Sequence, residues 1–275
     1  MAITKIERMD PRSGTSARFS FTAAGFSSQG VGREHNEDAW FVSPDVDVMI
    51  VADGVGGHAD GERASRLAIQ QFVQRVRLSR DQFLDFDSDS DDSRADATSI
   101  VDCIKESLRT ANDIVKALGK NQASSGPGTT MVLAVRVGRT LFVASVGDSR
   151  VYRLRAGSLE QLTVDDSWVE ILVEAGLINR EEARTHPKRN IILMALGQSD
   201  FEAEAEAVNV VRMETGDRFL LSSDGVHDAL EHSVLENLAA EPTSPKDLAE
   251  DLVHRAVEAG SKDDVTCIVM DVAGV

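Results

Sequence analysis

Long apolar runs are missing from this chain. No stretch approaches the roughly 20 apolar residues that a membrane-spanning helix needs. The opening MAITKIERMDPRSGTSARFSF holds no apolar core of the kind a secretion signal carries. Cysteine is nearly absent, with two in 275 residues, Cys103 and Cys267. They form no C-x-x-C pair, which excludes a disulfide framework, and each sits in an apolar pattern that reads as a small buried hydrophobe. Aromatics make up 5% of the residues, so the core has to be aliphatic. Basic charge is short as well: 29 Lys and Arg face 46 Asp and Glu, for a net charge of -17. Such a surface repels nucleic-acid phosphates and anionic membranes. The expectation is a soluble cytoplasmic protein with no nucleic-acid or membrane partner, and its 42% hydrophobic content suffices for a real core.

Periodicity predicts the elements that build this core. Val46 to Ala52 starts as alternation and becomes wholly apolar, which suits a strand running deep. Ala64, Leu67, Ala68, Phe72 and Val76 recur at three-to-four spacing, as do Ile100, Val101, Ile104, Leu108, Ala111, Val115 and Leu118. Both sets predict amphipathic helices. The acidic run DFDSDSDDSRAD (85–96) lacks the glycine and closing glutamate of a calcium loop and reads as a solvated connection. Val137-Gly138-Arg139 and Arg155-Ala156-Gly157-Ser158 each separate two strand-like runs, which predicts hairpins. Residues 166–185 read as helical, and FEAEAEAVNVV as a strand. Ser244 followed by Pro245 marks a helix start. Hairpins dominate and helices come in pairs, so the fold class is α+β, with antiparallel sheets carrying helices on their faces. Residues 1–22 are polar and irregular, an expected flexible arm or edge strand, and 23–275 read as one domain.

The unusual feature is where the acids stand. In VADGVGGHADGE the apolar run stops at Asp53, and glycines follow. Asp38 in HNEDAW, Asp148 in VGDSR, Asp224 in SSDG, and Asp263 with Asp264 in GSKDDVT lie likewise at or beside strand tips. Any one of them reads as a turn residue. Together they suggest carboxylates gathered at one edge of the sheets. Two carboxylates ~4 Å apart repel by about 4 kcal/mol at an effective dielectric near 20, so such a group needs protons or a divalent cation. An all-oxygen set suits Mg²⁺ or Mn²⁺ rather than zinc. Gly54, lacking a side chain, can offer its carbonyl at close range. Arg33 in GREHNED reads either as a surface ion pair or as a bidentate phosphate grip beside the metals.

These stretches, with GTTMVLAV, LTVDDS, HPKRN, MALG and RFLLSSDGVHDAL, run in the order found in the metal-dependent protein Ser/Thr phosphatases of the PPM (PP2C-like) type, in compact bacterial form. The chain resembles that family over nearly its whole length. The resemblance implies a four-layer αββα sandwich, with two antiparallel sheets flanked by helix pairs, and a dinuclear Mn²⁺ or Mg²⁺ centre at one end. It implies that Asp53 bridges two metals, that the Gly54 carbonyl binds one, and that Asp224 and Asp263 bind the other. Glu37 and Asp38 match positions near the metals, Asp148 with Asp224 matches a third, weaker site, and Arg33 matches the phosphate-binding arginine. The implied reaction is hydrolysis of phosphoserine or phosphothreonine in proteins by a hydroxide bridging the metals, in a monomer that reverses a cognate Ser/Thr kinase. Arg33, Asp53 and Asp224 carry the catalytic roles in that picture. Departures stand at Val55, where eukaryotic members place histidine, with His58 a few residues on. Others are Asp166 where histidine is usual, MALG without the preceding Thr-Arg, and Asp264 where asparagine is usual. Two other functions remain open on the sequence: a regulatory or binding module with hydrolysis reduced, and a two-metal hydrolase of small phosphate esters.

Overall fold

The computed structural model describes residues 3–7, 19–45, 47–56, 59–79, 93–119, 126–203 and 207–274. The strands are β1 (Ile3–Glu7), β2 (Phe19–Ser28), β3 (Asp38–Val42), β4 (Val48–Val55), β5 (Gly128–Thr129), β6 (Met131–Val137), β7 (Thr140–Val146), β8 (Arg150–Arg155), β9 (Ser158–Gln161), β10 (Val208–Arg212), β11 (Arg218–Ser222) and β12 (Val265–Gly274). The helices are α1 (Ala59–Leu78), α2 (Ser93–Leu118), α3 (Trp168–Glu174), α4 (Arg180–Thr185), α5 (Asp224–His227), α6 (His232–Ala239) and α7 (Pro245–Glu258). One sheet runs β1-β2-β12-β11-β8-β9 and the other β10-β7-β6-β4-β3, with β5 beside β4.

Side-chain alternation explains why the central strands are apolar on both faces. On β4, Val48, Ile50 and Ala52 face α1 and α2, packing with Phe72, Ile104 and Leu108. Met49 and Val51 face the other way and meet Phe219, Leu221, Ile268 and Met270 of the opposite sheet. The far face of that sheet, with Leu220, Cys267 and Val269, is covered by Leu235, Leu248, Leu252 and Val253 of α6 and α7. Three apolar layers thus separate four structural ones, the αββα order. Cys103 and Cys267 are both buried free thiols.

The predicted helix stripes fall in α1 and α2, and both predicted hairpins form, as β6–β7 and β8–β9. In the second, Ala156 and Gly157 have φ of 51° and 83°, the double positive φ of the turn that matches strand twist. Ser244 caps α7 by accepting from the Asp247 N–H. Three expectations differ. Residues 166–185 form two short helices, because the Gly176 turn breaks them and Asn179 starts the second with a capping box. Of the strand expected over FEAEAEAVNVV, the described residues form β10, the stretch that pairs with β7, while Phe201 and Ala203 pack on the α1–α2 core and 204–206 lie outside the described residues. The helix α2 already begins at Ser93, inside the acidic run; 85–92 lie outside the described residues. β1 pairs antiparallel with β2 at a sheet edge, and β2 begins at Phe19.

Candidate functional site

The strand β4 does not stop at Asp53. It continues through Asp53 and Gly54 to Val55, and Asp53 stands directly opposite Asp38 of β3. Asp53 shares the parity of Met49 and Val51, so its side chain leaves β4 on the face between the sheets. The same alternation carries Ser223 and Thr266 into this layer from the opposite sheet. The Ser223 hydroxyl donates to Asp38 Oδ2 at 2.8 Å and accepts from the Thr266 N–H at 3.0 Å. The acids therefore cap the open end of the inter-sheet core. Asp53, Asp38, Glu37, Asp148 and Asp264 are all buried.

A cleft of about 460 Å³ opens here, lined by Arg33, Glu34, His35, Glu37, Asp53, Gly54, Val55, Gly56, Asn190, Ile192, Asp224 and Asp263. It brings together most of the residues selected on sequence. Asp38 lies behind Asp53 rather than in the cleft wall. Asp148, in the turn between β7 and β8, stands apart from the wall too, beside Asp165 and Asp228. His58 lies outside the described residues.

Gly54 is glycine for reasons of space. A Cβ there would lie 2.2 Å from the Gly61 carbonyl oxygen and 2.8 Å from that of Glu37. This close approach draws the start of α1 and the Glu37 turn onto the tip of β4. The Gly54 N–H donates to the Glu37 carbonyl at 3.2 Å, and the Ser65 hydroxyl donates to the same oxygen at 2.7 Å. Thr130 holds Asp53 from the other side, its hydroxyl accepting from the Asp53 N–H at 3.1 Å and meeting Ser149 at 2.8 Å.

The electrostatics follow from this crowding. Burial, then the charges of Asp38, Asp224, Asp263 and Asp148, pushes the Asp53 carboxyl well above the usual carboxylate range. Asp224 is pushed up in the same way, by burial and then by Asp148 and Asp263. Burial carries Asp38 to about 7, against the hydrogen bonds from Thr266 and Ser223. It carries Asp148 to about 7 as well, helped by Asp165 and opposed by Arg150. Arg33 loses solvation on burial, but Asp263, Asp264, Asp53 and Glu37 outweigh that and raise its pKa.

Does this donor set fit divalent cations? Asp38 Oδ1, Asp148 Oδ1 and Asp224 Oδ1 are buried with no hydrogen-bond partner. A buried acceptor without a donor costs on the order of 1–3 kcal/mol, more when charged, and a cation removes that cost. All are hard oxygens, as Mg²⁺ and Mn²⁺ require. Among the described residues no three His, Cys, Asp or Glu side chains close into a ready coordination sphere. One reason is that Asp263 pairs with Arg33. Mg²⁺ keeps several waters and needs only one or two carboxylates, so the open arrangement still fits.

Sequence reasoning missed the hydroxyl groups that orient the acids, Ser223, Thr130, Ser149 and Thr266. It also missed His35, Asn190 and Ile192 in the cleft wall. Ser223, Ser149 and Thr266 had a signal, since each lies beside an acidic tip in SSDG, GDS and DDVT, whereas Thr130 in GTT has no acid near it in the chain. Asn190 stands in the HPKRN stretch, which carried the resemblance but no assigned role, and Ile192 two residues on had no chemical signal.

Comparison with known proteins adds an independent line. A family model described as Protein phosphatase 2C matches residues 28–260. The serine/threonine protein phosphatase PstP of Mycobacterium tuberculosis is 33% identical over 248 residues, 90% of this chain and 44% of PstP. The chain thus spans less than half the length of that relative. The serine/threonine phosphatase stp of Listeria welshimeri is 32% identical over 244 residues, 87% of this chain and 91% of its own. Among solved structures, the catalytic domain of PstP in complex with two manganese ions superposes with a TM-score of 0.76 at 30% identity, covering 93% of this chain and 99% of that one. Motif order, sheet topology and the acidic cleft agree with these matches: the chain belongs to the protein phosphatase 2C family.

Proposed function

We propose that this chain is a metal-dependent protein serine/threonine phosphatase, and that Asp53, the Gly54 carbonyl, Asp224 and Asp263 hold its Mn²⁺ or Mg²⁺ ions. One observation carries the reading: buried carboxylate oxygens without donors stand beside a cleft that also holds an arginine. Glu37 and Asp38 act close to the ions, and Asp148 with Asp224 and Asp228 offers a third, more remote acidic position. When bound, divalent cations supply positive charge for phosphoryl oxygens and a water of lowered pKa.

The residues divide the remaining work. Arg33 reaches the cleft with a third of its side chain exposed, and its planar guanidinium suits two phosphoryl oxygens at once. Ser223 fixes Asp38 through Oδ2, which leaves Oδ1 as an acceptor aimed away from the hydroxyl. Thr130 and Gly54 lock the backbone on both sides of Asp53, so its carboxylate is oriented before any ligand arrives. Such preorganisation is what lets charge stabilisation act without reorganisation.

The substrates are phosphoserine and phosphothreonine proteins, including the targets of a cognate kinase. We read the enzyme as a cytoplasmic monomer, with 23–275 as its catalytic domain and β1 ahead of it as an edge strand; 8–18 lie outside the described residues. No helix among the described residues is long and apolar enough to cross a membrane. The test compares phosphate release from a phosphothreonine peptide and from a nucleotide, in Mn²⁺ and in excess chelator. Peptide turnover that disappears with the metal supports the assignment. Turnover indifferent to chelator, or confined to the nucleotide, removes it.

A further inference from the structure

Asp264 is one of the positions where this chain departs from the family pattern, and its surroundings give the carboxylate a specific task. Its side chain is fully buried. Oδ1 accepts from the Gly30 N–H at 2.8 Å, and Oδ2 accepts from the Glu37 N–H at 2.8 Å and from Arg33 Nη1 at 3.4 Å. Gly30 is bare for this purpose. A Cβ there would lie 2.7 Å from the carbonyl groups of Lys262 and Asp263, so only glycine brings its N–H onto the carboxylate. The segment from Gly30 to Glu37 is thus fastened at both ends to one side chain, with Arg33 between them.

Glu37 Oε2, in the same segment, meets Arg33 Nη1 at 3.3 Å as well, and Arg33 has a further acidic partner of a different kind. Its Nη2 pairs with Asp263, whose side chain is 33% exposed at the cleft. Among the described residues, the Asp263 side chain is held by the Asp264 N–H and by Arg33 itself. On the Nη1 side Asp264 is therefore immobilised by two backbone donors, and the Nη2 partner is free to be exchanged. We infer that Asp264 is a positioning residue for Arg33: it grips the Nη1 side, so that the Nη2 edge stays aimed into the cleft for phosphoryl oxygens when Asp263 turns to another ligand. The inference rests on the phosphatase reading and on Arg33 as its phosphate grip.

A carboxylate is needed because both of its oxygens accept from backbone N–H groups. An amide accepts at one end only, and its NH₂ would face either an N–H donor or the guanidinium. Asp264→Asn is thus close to isosteric, yet it breaks one side of the clamp. With the Mn²⁺-loaded full chain, Asp264→Asn should raise KM for a phosphothreonine peptide about tenfold while kcat stays within about threefold. The inhibition constant of inorganic phosphate should rise by the same factor. Calorimetric titration should leave Mn²⁺ affinity within about twofold, because this residue is not assigned to the ions.

A cycle with Arg33→Ala separates positioning from scaffolding. If Asp264 acts through Arg33, Asp264→Asn adds nothing to KM in the Arg33→Ala background. An equal further loss there, or a parallel fall in kcat and Mn²⁺ affinity, overturns the inference and makes Asp264 a scaffold for the loop. Should Asp264→Asn not fold, Arg33→Lys takes its place. A compact ammonium cannot span Asp264 and a phosphate together, so KM and the phosphate inhibition constant should rise about tenfold; wild-type values for Arg33→Lys overturn the inference. A wild-type chain inactive on the peptide in Mn²⁺ removes the phosphatase reading itself, a result distinct from an active wild type with unaltered variants.

Discussion

Replacing Asp53 by asparagine should make the metal-free protein more stable while removing its activity. Asp53 faces Asp38 across β3 and β4. Directly opposed residues have Cβ atoms about 5 Å apart, and two unit charges at ~5 Å repel by about 3 kcal/mol at an effective dielectric of 20. Burial is the larger disturbance, and both act in one direction, lifting the Asp53 carboxyl well above its ordinary value. A group raised in the folded state contributes stability that is fully present below its unfolded pKa and is lost as pH climbs through the folded value. In chelator above that folded value the wild type has therefore lost this contribution, whereas asparagine never carries the charge. For a chain of this size, 1 kcal/mol moves Tm by roughly 2–4 °C, so Asp53→Asn should melt roughly 6–12 °C above the wild type there. Below the ordinary carboxylate range, where the group is protonated in both the folded and the unfolded wild type, the gain should vanish. In excess Mn²⁺ the order should reverse, because only the wild type gains binding energy. Calorimetric scans at both pH values, with and without metal, check all of this. A variant that melts no higher than wild type in chelator at high pH, or whose gain persists equally at low pH, would show that Asp38 and Asp53 do not share a crowded buried site.

Other consequences can be measured separately. Arg33→Ala should raise KM for a phosphopeptide about tenfold or more with a smaller change in kcat, and calorimetry should find Mn²⁺ affinity no weaker, since a competing cation has gone. Gly54→Ala would push a Cβ to 2.2 Å from the Gly61 carbonyl oxygen; the backbone cannot yield cheaply, and a loss of about 3 kcal/mol or more in urea denaturation is expected. Asp148, moved from 3.8 to about 7 by burial and Asp165, should cost the chelated protein on the order of 4 kcal/mol as pH rises from 4 to 8. Asp148→Asn should flatten that slope, and a slope unchanged by the substitution refutes the assignment.

Much of the architecture could be read along the chain. Alternation and three-to-four spacing are local properties, so the stripes of α1 and α2, the cap at Ser244 and the hairpin turns were legible without coordinates. The apolar run into Ala52 signalled a strand running deep, as β4 does. Element ends were harder. The strand through Asp53 and Gly54 hides its continuation, because its last residues are polar or bare for reasons set by Glu37 and Gly61. The helical reading of 166–185 resolves into two short helices around a glycine turn, and β10 ends opposite Thr140, where its partner β7 begins.

For the site, residue types alone already determined the chemistry: repeated aspartates beside strand tips need cations or protons, and an oxygen-only set selects hard metals. What the order of residues could not decide is which oxygens lack donors, and that Asp263 leans on Arg33 while Asp264 is clamped by Gly30 and Glu37. Those facts depend on strands far apart in the chain meeting at one end of the sandwich. Register and burial are collective properties of the packed sheets, and they alone settle which charges are close enough, and dry enough, to feel one another.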